Sequence, residues 1–215
     1  MQLEEERLAI VDYGKRLITH HLTTGTGGNI SILNREKGLM AISPSGIDYF
    51  ETRPDDVVVM DLDGKLVEGN RKPSVEQDLH RIFYTQRSDI GSVIHTHSTF
   101  SVVVAALGWS IPATFYLTAL AGGPDVRCAR YARYGTQDLA VAAFEAMQGR
   151  KAALLANHGL VVGGADVAGA FMIAEQIEFS AQVFYRAKCV GEPTLVPDAE
   201  INDLVASMSS YGQGH

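Results

Sequence analysis

The stretch Val57–Val67 reads VVVMDLDGKLV, and it decides what kind of β-sheet this chain builds. Asp63-Gly64 between two apolar runs is a strong hairpin signal, because both residue types tolerate the positive φ angles of tight hairpin turns. A second hairpin is predicted around the polar turn at residues 34–38, between apolar residues at 30–32 and 39–42. Hairpins join antiparallel strands, so we expect a mixed sheet rather than a purely parallel one.

The rest of the chain is predicted to consist of helices and short apolar strands joined by turns. Helices are predicted at residues 3–21, 74–86, 99–107, 136–147 and 165–188, with a short one within 200–214. Apolar strands are predicted at residues 92–94, 152–156 and 160–163. We therefore expect an α/β fold of three layers, in which a central mixed, largely antiparallel β-sheet carries helices on both faces. No linker interrupts the pattern, so residues 1–215 are predicted to form a single domain.

The composition is that of a globular chain, and it argues against several classes of partner. Of the 215 residues, 46% are hydrophobic and 20% are charged, and the formal net charge is −7. This acidic balance argues against nucleic-acid binding, which needs a basic face to neutralise phosphates. The acidic start Met1–Arg7 is unlike a secretory signal, and no apolar run is long enough to span a membrane. Cys128 and Cys189 cannot build a disulfide framework, so a cytoplasmic location is expected.

His95 and His97 follow an apolar strand and are the first candidates for chemistry. Residues i and i+2 of a strand share a face, so both imidazoles project into one space and form half of a metal site. Two surface histidines at a sheet edge are an equally frequent alternative for this pattern alone. His158 also ends an apolar strand, where by itself it would be an ordinary turn residue. Together, three imidazoles with an open coordination position predict a catalytic zinc site.

Glu76 lies in the first turn of the helix predicted at residues 74–86, two residues after Ser74, the predicted N-cap of this helix. A carboxylate there can simply complement the helix dipole. It can also act as a general acid or base if the helix start lies beside the metal. His80 follows one turn later, and for it we expect packing rather than metal binding.

Three short segments are candidates for holding an anion. Gly28 and Asn29, together with Ser45 and Gly46, lie in glycine turns that can present backbone N–H groups to a phosphate. Ser74 adds a hydroxyl at a predicted helix start. Each turn taken alone is most often just a turn. The chain has neither a P-loop nor a GxGxxG segment between a strand and a helix, so nucleotide binding is disfavoured.

Taken together, six motifs in this order resemble the class II aldolase/adducin family over nearly the whole chain, most closely its L-fuculose-1-phosphate aldolase branch. They are Gly25-Thr26-Gly27-Gly28-Asn29-Ile30-Ser31, Ser43-Pro44-Ser45-Gly46-Ile47, Pro73-Ser74-Val75-Glu76, His95-Thr96-His97, Asn157-His158-Gly159-Leu160 and Tyr211-Gly212. The resemblance implies reversible cleavage of a ketose 1-phosphate of the L-fuculose 1-phosphate type. The products would be dihydroxyacetone phosphate and a small aldehyde of the L-lactaldehyde type.

The resemblance also implies a metal and an acid/base group. His95, His97 and His158 would bind zinc, with manganese or cobalt as alternatives. Glu76 would be an additional ligand that swings away when substrate arrives and then transfers protons. The phosphate of the substrate would be held by a set of small residues, namely Gly28, Asn29, Ser45, Gly46 and Ser74.

Three tyrosines and the assembly complete what the resemblance implies. Tyr116 of a neighbouring subunit would handle the proton on the aldehyde oxygen, and Tyr134 would help to line the aldehyde pocket. Tyr211 would lie on a mobile tail that closes over the site. The family assembles as a homotetramer with active sites between subunits, so the expected partners are a sugar phosphate and further copies of this chain.

Two departures from the family pattern keep alternatives open. Val75 stands where the family commonly has a hydroxyl residue, and Asn157 stands where close relatives often have histidine. The first alternative is an aldolase for 5-deoxyribulose 1-phosphate, which would release acetaldehyde. A pentulose-phosphate 4-epimerase typically has aspartate in place of Glu76, whereas a methylthioribulose-1-phosphate dehydratase keeps the glutamate. A metal-dependent hydrolase and a noncatalytic adducin-like head, which lacks the histidines, complete the alternatives.

Overall fold

The computed structural model describes residues 1–208, and the predicted elements form there at nearly the predicted places. The helices are α1 (Glu4–Thr19), α2 (Gln77–Gln86), α3 (Thr99–Ala106), α4 (Gln137–Ala146), α5 (Val167–Val190) and α6 (Asp198–Met208). The strands are β1 (Asn29–Asn34), β2 (Leu39–Ile42), β3 (Val58–Asp61), β4 (Leu66–Glu68), β5 (Ser92–Thr96), β6 (Ile111–Pro112), β7 (Asp125–Val126), β8 (Cys128–Ala129), β9 (Ala152–Leu155) and β10 (Gly159–Gly164). Short 3-10 segments cover Pro54–Asp56 and Tyr116–Ala121.

Eight of these strands form one sheet in the order β4-β3-β2-β1-β5-β10-β9-β8. Neighbouring strands are antiparallel except β8 and β9, which run parallel. The two predicted hairpins are confirmed as the pairs β1–β2 and β3–β4. β5 and β10 are far apart in the sequence but adjacent in the sheet, and this pairing brings together the ends of two apolar strands.

Both faces of the sheet are covered, so alternate residues of a strand belong to different cores. On β5, Ile94 faces a core shared with α1, α3 and α5, whereas Val93 faces a core shared with α2 and α4. Leu17 and Ile177 in the first core and Phe83 in the second are fully buried. Such burial stabilises a fold by about 1.5–3 kcal/mol for each large apolar side chain. The predicted three-layer fold with a largely antiparallel mixed sheet is confirmed.

The start of α2 differs from the prediction. The helix begins at Gln77, so Ser74 is not its N-cap. Ser74 N donates to Ser43 O at 3.1 Å, and Ser45 N donates to Lys72 O at 2.9 Å. The segment before α2 therefore pairs with the loop after β2. Because these backbone hydrogen bonds hold Ser74 against that loop, the local capping preference of serine does not decide where the helix starts.

The helix α5 anchors the start of α3, which is the helix that follows β5. It packs against α3, β5 and β10. Glu178 on α5 accepts hydrogen bonds from Phe100 N at 2.7 Å and Ser101 N at 2.9 Å. These N-terminal amides of α3 have no partner within their own helix, so the carboxylate satisfies them and anchors the start of α3. None of the helices in residues 1–208 combines the length and apolar character that a membrane span requires.

Candidate active site

Three imidazoles meet at the end of β5, beside the turn that joins β9 to β10. His95 lies on β5, His97 follows directly after it, and His158 lies in the turn. Thr96 lies opposite Leu160 in the pairing of β5 with β10, which brings the turn next to the end of β5. One ligand atom from each histidine lies within 4.8 Å of the other two. The structure thus brings together the three histidines that the sequence singles out.

The ring of His95 is oriented by the backbone. Its Nδ1–H donates to Leu160 O at 2.9 Å, so Nε2 keeps its lone pair and lies 2.9 Å from His97 Nε2. Burial, followed by the neighbouring His158 and His97, lowers the pKa of His95 well below its usual range. Burial and then His158 also lower the pKa of His97. Neutral imidazoles with a free ring nitrogen are the form that binds a divalent metal.

Glu76 adds a buried carboxylate to the three imidazoles. Its Oε2 accepts a hydrogen bond from Asn29 Nδ2 at 2.9 Å and lies 3.4 Å from His95 Nε2. Its Oε1 lies 3.5 Å from His158 Nε2. Within the described residues, Oε1 is buried without a hydrogen-bond partner, and so is Nδ1 of His158. A buried carboxylate oxygen is costly unless paired, and a cation beside it would satisfy it, so this donor set fits a divalent metal such as zinc.

The turn that presents His158 depends on its two neighbours. Asn157 has a φ of 55°, in the left-handed region that asparagine tolerates better than most residues. Gly159 lies against β5, where a side chain would come within 2.2 Å of Thr96 O. Asn157 and Gly159 therefore permit a tight turn at the end of the sheet, and this turn places the third imidazole.

The residues predicted to hold a phosphate line the same cavity as the histidines. This cavity has a volume of about 370 Å³, and His97, His158 and Glu76 form part of its wall. The wall also includes the predicted anion-binding residues Gly28, Asn29, Ser45, Gly46 and Ser74. A larger cavity of about 870 Å³, lined in part by Phe50 and Arg71, holds none of the predicted site residues. We place the candidate active site in the smaller cavity, because the polar and titratable groups converge there.

Glycine is required at two turns of this wall. Gly28 and Gly46 have φ angles of 71° and 70°, which few other residues adopt without strain. A side chain at Gly28 would lie 2.6 Å from His95 O, so glycine lets the loop approach the strand that carries His95. Both ends of the Asn29 amide have protein partners, because Nδ2 donates to Glu76 and Oδ1 lies 2.5 Å from His80 Nε2.

The predicted aromatic residues fall in different places. Tyr134 lines the cavity and is exposed, as is Val75, whose side chain offers no hydroxyl. Tyr116 begins a 3-10 segment and is also exposed, but it does not belong to the cavity wall of its own chain. Tyr211 lies outside the described residues. The predicted roles of these side chains stay predictions.

A set of buried polar residues behind Glu76 was not predicted from the sequence. His80 is fully buried outside the histidine cluster, in agreement with the packing we expect for it. Its Nδ1 lies 2.7 Å from Ser31 Oγ, which in turn lies 2.5 Å from the hydroxyl of Tyr84. The one signal available in the sequence is the spacing of Glu76 and His80, since residues four apart share a face of a helix.

The chain thus combines a three-layer α/β fold with a cluster of three imidazoles and a carboxylate at the wall of a cavity. Residues 8–185 match the family described as Class II Aldolase and Adducin N-terminal domain. The chain belongs to this family, and the predicted resemblance is confirmed.

The names of individual relatives refer to two different sugar phosphates. A protein of Bacillus thuringiensis serovar kurstaki named 5-deoxy-D-ribulose 1-phosphate aldolase is 54% identical, covering 99% of this chain and 100% of the relative. L-fuculose phosphate aldolase of Escherichia coli K12 is 34% identical, covering 98% of both chains. A solved structure titled L-fuculose 1-phosphate aldolase superposes with a TM-score of 0.93 at 48% identity, covering 96% of this chain and 97% of its own. These relatives are all aldolases.

Proposed function

We propose that this chain is a metal-dependent aldolase that cleaves 5-deoxyribulose 1-phosphate into dihydroxyacetone phosphate and acetaldehyde. The observation that carries the proposal is that the cluster of His95, His97 and His158 adjoins a cavity, and that His97, His158 and Glu76 line this cavity together with the anion-binding turns. The 54% identical relative supports the deoxypentulose substrate better than the 34% identical relative supports L-fuculose 1-phosphate. The first alternative from the sequence is therefore preferred to its main prediction.

His95, His97 and His158 would hold the metal, with Glu76 beside it. A bound divalent ion such as zinc supplies a Lewis acid that polarises the ketone of the substrate and stabilises negative charge as the carbon–carbon bond breaks. The protein prepares this chemistry by burying His95, which lowers the pKa of that imidazole, and by orienting its ring through Leu160 O. Manganese or cobalt could bind to the same ligand atoms, so the metal content of the purified protein is measured in the test below.

The substrate phosphate would bind at the turns on the other part of the wall. Backbone N–H groups around Gly28 and Gly46 and the hydroxyls of Ser45 and Ser74 are donors suited to phosphate oxygens. Val75 contributes no hydroxyl, so fewer side-chain donors serve the phosphate than in the usual family pattern. This site would hold carbon 1 of the ketose at a fixed distance from the histidines, which orients the bond to be broken.

Cleavage needs two proton transfers. The hydroxyl on carbon 4 loses its proton, the bond between carbons 3 and 4 breaks, and carbon 4 becomes the aldehyde carbon of acetaldehyde. Carbon 3 then takes a proton and becomes the hydroxymethyl carbon of dihydroxyacetone phosphate. Glu76 is suited to move the proton on carbon 3, because its Oε1 lies beside the cluster and has no hydrogen-bond partner within residues 1–208. Tyr116 would exchange the proton on the aldehyde oxygen.

Tyr116 can take this role only from another copy of the chain. It is exposed and lies outside its own cavity wall. It stacks edge-on against Phe115, which in turn contacts the exposed Phe179, so an aromatic surface surrounds it. Such a surface is suited to burial between subunits. We include in the proposal the homotetramer with shared active sites that the family resemblance implies.

The proposal is tested by a coupled assay for dihydroxyacetone phosphate. The purified protein, with its metal content measured, is offered 5-deoxyribulose 1-phosphate and L-fuculose 1-phosphate in parallel. We expect release from both and a higher kcat/KM for the deoxypentulose. A higher kcat/KM for L-fuculose 1-phosphate would assign the other aldolase branch, which the 48% identical solved structure supports.

Two further outcomes of the same experiment reject the aldolase. No release from a metal-loaded protein would favour the epimerase or dehydratase, and both are then assayed directly. A protein that binds no metal and cleaves neither substrate would favour a noncatalytic binding head.

A further inference from the structure

A line of buried polar groups runs from Glu76 away from the cavity. Asn29 Nδ2 is 2.9 Å from Glu76 Oε2, and Asn29 Oδ1 is 2.5 Å from His80 Nε2. His80 Nδ1 is 2.7 Å from Ser31 Oγ, and Ser31 Oγ is 2.5 Å from Tyr84 OH. All five side chains are buried. The reaction scheme above uses Glu76 and leaves the other four without a task of their own in the chemistry.

The chemistry of each group decides the direction of every hydrogen bond in this line. A carboxylate only accepts, so Asn29 must turn its NH2 group toward Glu76 and its carbonyl oxygen toward His80. That oxygen also only accepts, so His80 must carry its proton on Nε2 and not on Nδ1. The bare Nδ1 then accepts from the hydroxyl of Ser31, and the hydroxyl of Tyr84 donates to Ser31. One assignment of protons therefore satisfies the whole line from Tyr84 to Glu76.

His80 stays neutral in this position. Burial, together with the nearby His95, lowers its pKa to about 3, and Glu76 offsets only part of that shift. A neutral imidazole has one donor and one acceptor nitrogen, and here the two serve opposite sides of the ring. An apolar side chain of similar size would fill the space but would leave Asn29 free to rotate its amide.

We propose that His80, as its Nε2–H tautomer, is a positioning residue that fixes the Asn29 amide and thereby commits Glu76 Oε2 to a hydrogen bond. Oε1 is then the oxygen left free to face the reacting atoms, in agreement with its lack of a partner among the described residues. This inference rests on the proposed function, because it assigns the two oxygens of the proposed acid/base group.

The geometry also explains why this residue comes from α2. Glu76 lies directly before the first turn of α2 and His80 lies within that helix, so the backbone fixes their separation. Asn29 lies opposite His95 in the pairing of β1 with β5, so it is equally fixed relative to the histidine cluster. The line of hydrogen bonds thus joins α2 to the sheet directly behind the cavity.

A matched pair of substitutions tests the proposal in the metal-loaded protein. His80→Gln can place an amide N–H near the position of Nε2, whereas His80→Asn is too short and reaches only the position of Nδ1. We expect His80→Asn to lower kcat by about 10–100-fold, as is usual when a group orienting an active-site residue is removed. KM and metal stoichiometry should stay close to the wild-type values, because the hydrogen bonds of His80 reach Asn29 and Ser31 and not the histidine cluster. His80→Gln should recover most of kcat. Equal losses in both variants, or a loss confined to KM, would overturn the proposal.

A spectroscopic measurement of the wild-type protein keeps the test independent of turnover. Long-range ¹H–¹⁵N correlation spectra of the zinc-loaded wild-type protein report which nitrogen of each histidine carries the proton, and loss of signals in His80→Gln assigns His80. We expect a protonated Nε2 and a bare Nδ1. A proton on Nδ1 overturns the positioning role even if the aldolase assay succeeds. The expected tautomer in a protein without aldolase activity would instead reject the proposed function and leave the geometry of the line intact.

Discussion

The floor and the rim of the cavity are built in different ways. The floor consists of the three histidines with Glu76 and Asn29, and among these Glu76 and Asn29 are only 6% and 4% exposed. The rim includes Val75 and Tyr134, which are 57% and 60% exposed. Tyr116, which is 48% exposed, would join the rim of a neighbouring subunit's cavity in the proposed tetramer. His95, Glu76 and Asn29 of the floor make hydrogen bonds within the chain, whereas Val75 and Tyr134 of the rim are exposed. We therefore expect floor substitutions to abolish chemistry and rim substitutions to change substrate binding or its dependence on assembly.

The largest effect is expected from removing an imidazole of the floor. His97→Ala should lose the bound metal and lower kcat/KM by about a thousandfold or more, because about 4 kcal/mol of electrostatic stabilisation corresponds to three powers of ten. Metal stoichiometry by elemental analysis and the coupled assay measure the two effects. His20→Ala is the matched control, since His20 pairs with Glu175 at the surface. Unchanged metal content in His97→Ala would remove this residue from the site.

The second effect separates metal binding from proton transfer within the floor. Glu76→Gln preserves the shape and still accepts from Asn29, so metal content should stay unchanged. Turnover should fall by about 10²–10⁴-fold, the range typical for loss of a general acid or base. Retention of full activity by this variant, with metal bound, would reject the acid/base role of Glu76.

The third effect concerns the rim and the neighbouring subunit. Tyr116→Phe should lower kcat by about 100-fold, the lower end of the range for a general acid or base, through the step at the aldehyde oxygen, with metal content unchanged. Tyr131→Phe is the control, because Tyr131 is similarly exposed and has no assigned role.

Mixed assemblies of Tyr116→Phe and Glu76→Gln subunits test whether Tyr116 acts in the active site of a neighbouring subunit. Some mixed sites contain an intact Glu76 and an intact Tyr116 from different chains, so activity should exceed that of either variant alone. Absence of this recovery in assemblies shown to be mixed would argue against an active site shared between subunits.

The smallest effect is expected at Val75. Val75→Ser adds a hydroxyl at the phosphate end of the cavity, and one further hydrogen bond of about 1 kcal/mol corresponds to a roughly fivefold lower KM. Val75→Ala, which shortens the side chain without adding a donor, is the control. If both variants change KM equally, the missing hydroxyl is irrelevant to phosphate binding.

Much of the fold can be predicted because its signals are local. Asp63-Gly64 between apolar runs marks the β3–β4 hairpin, and the structure confirms it. The start of α2 could not be predicted, because Ser74 has the character of an N-cap but pairs with Ser43 across the loop after β2. Asn157 could be predicted only in part. The tolerance of asparagine for the left-handed region is a property of the residue itself, whereas the tight turn that requires this conformation is set by the tertiary structure.

The amino-acid sequence alone shows which residue types end the apolar strands, and it therefore identifies His95, His97 and His158 as candidates for one site. Strand periodicity and short turn motifs depend on neighbouring residues, so they can be recognised without knowledge of the fold. The pairing of β5 with β10 and the position of Asn29 between Glu76 and His80 become visible only in the folded structure. These contacts join residues 47 to 65 positions apart, as for Asn29 with Glu76 and His95 with Leu160. Their geometry is set by sheet register and helix packing, which depend on the whole core rather than on any one motif.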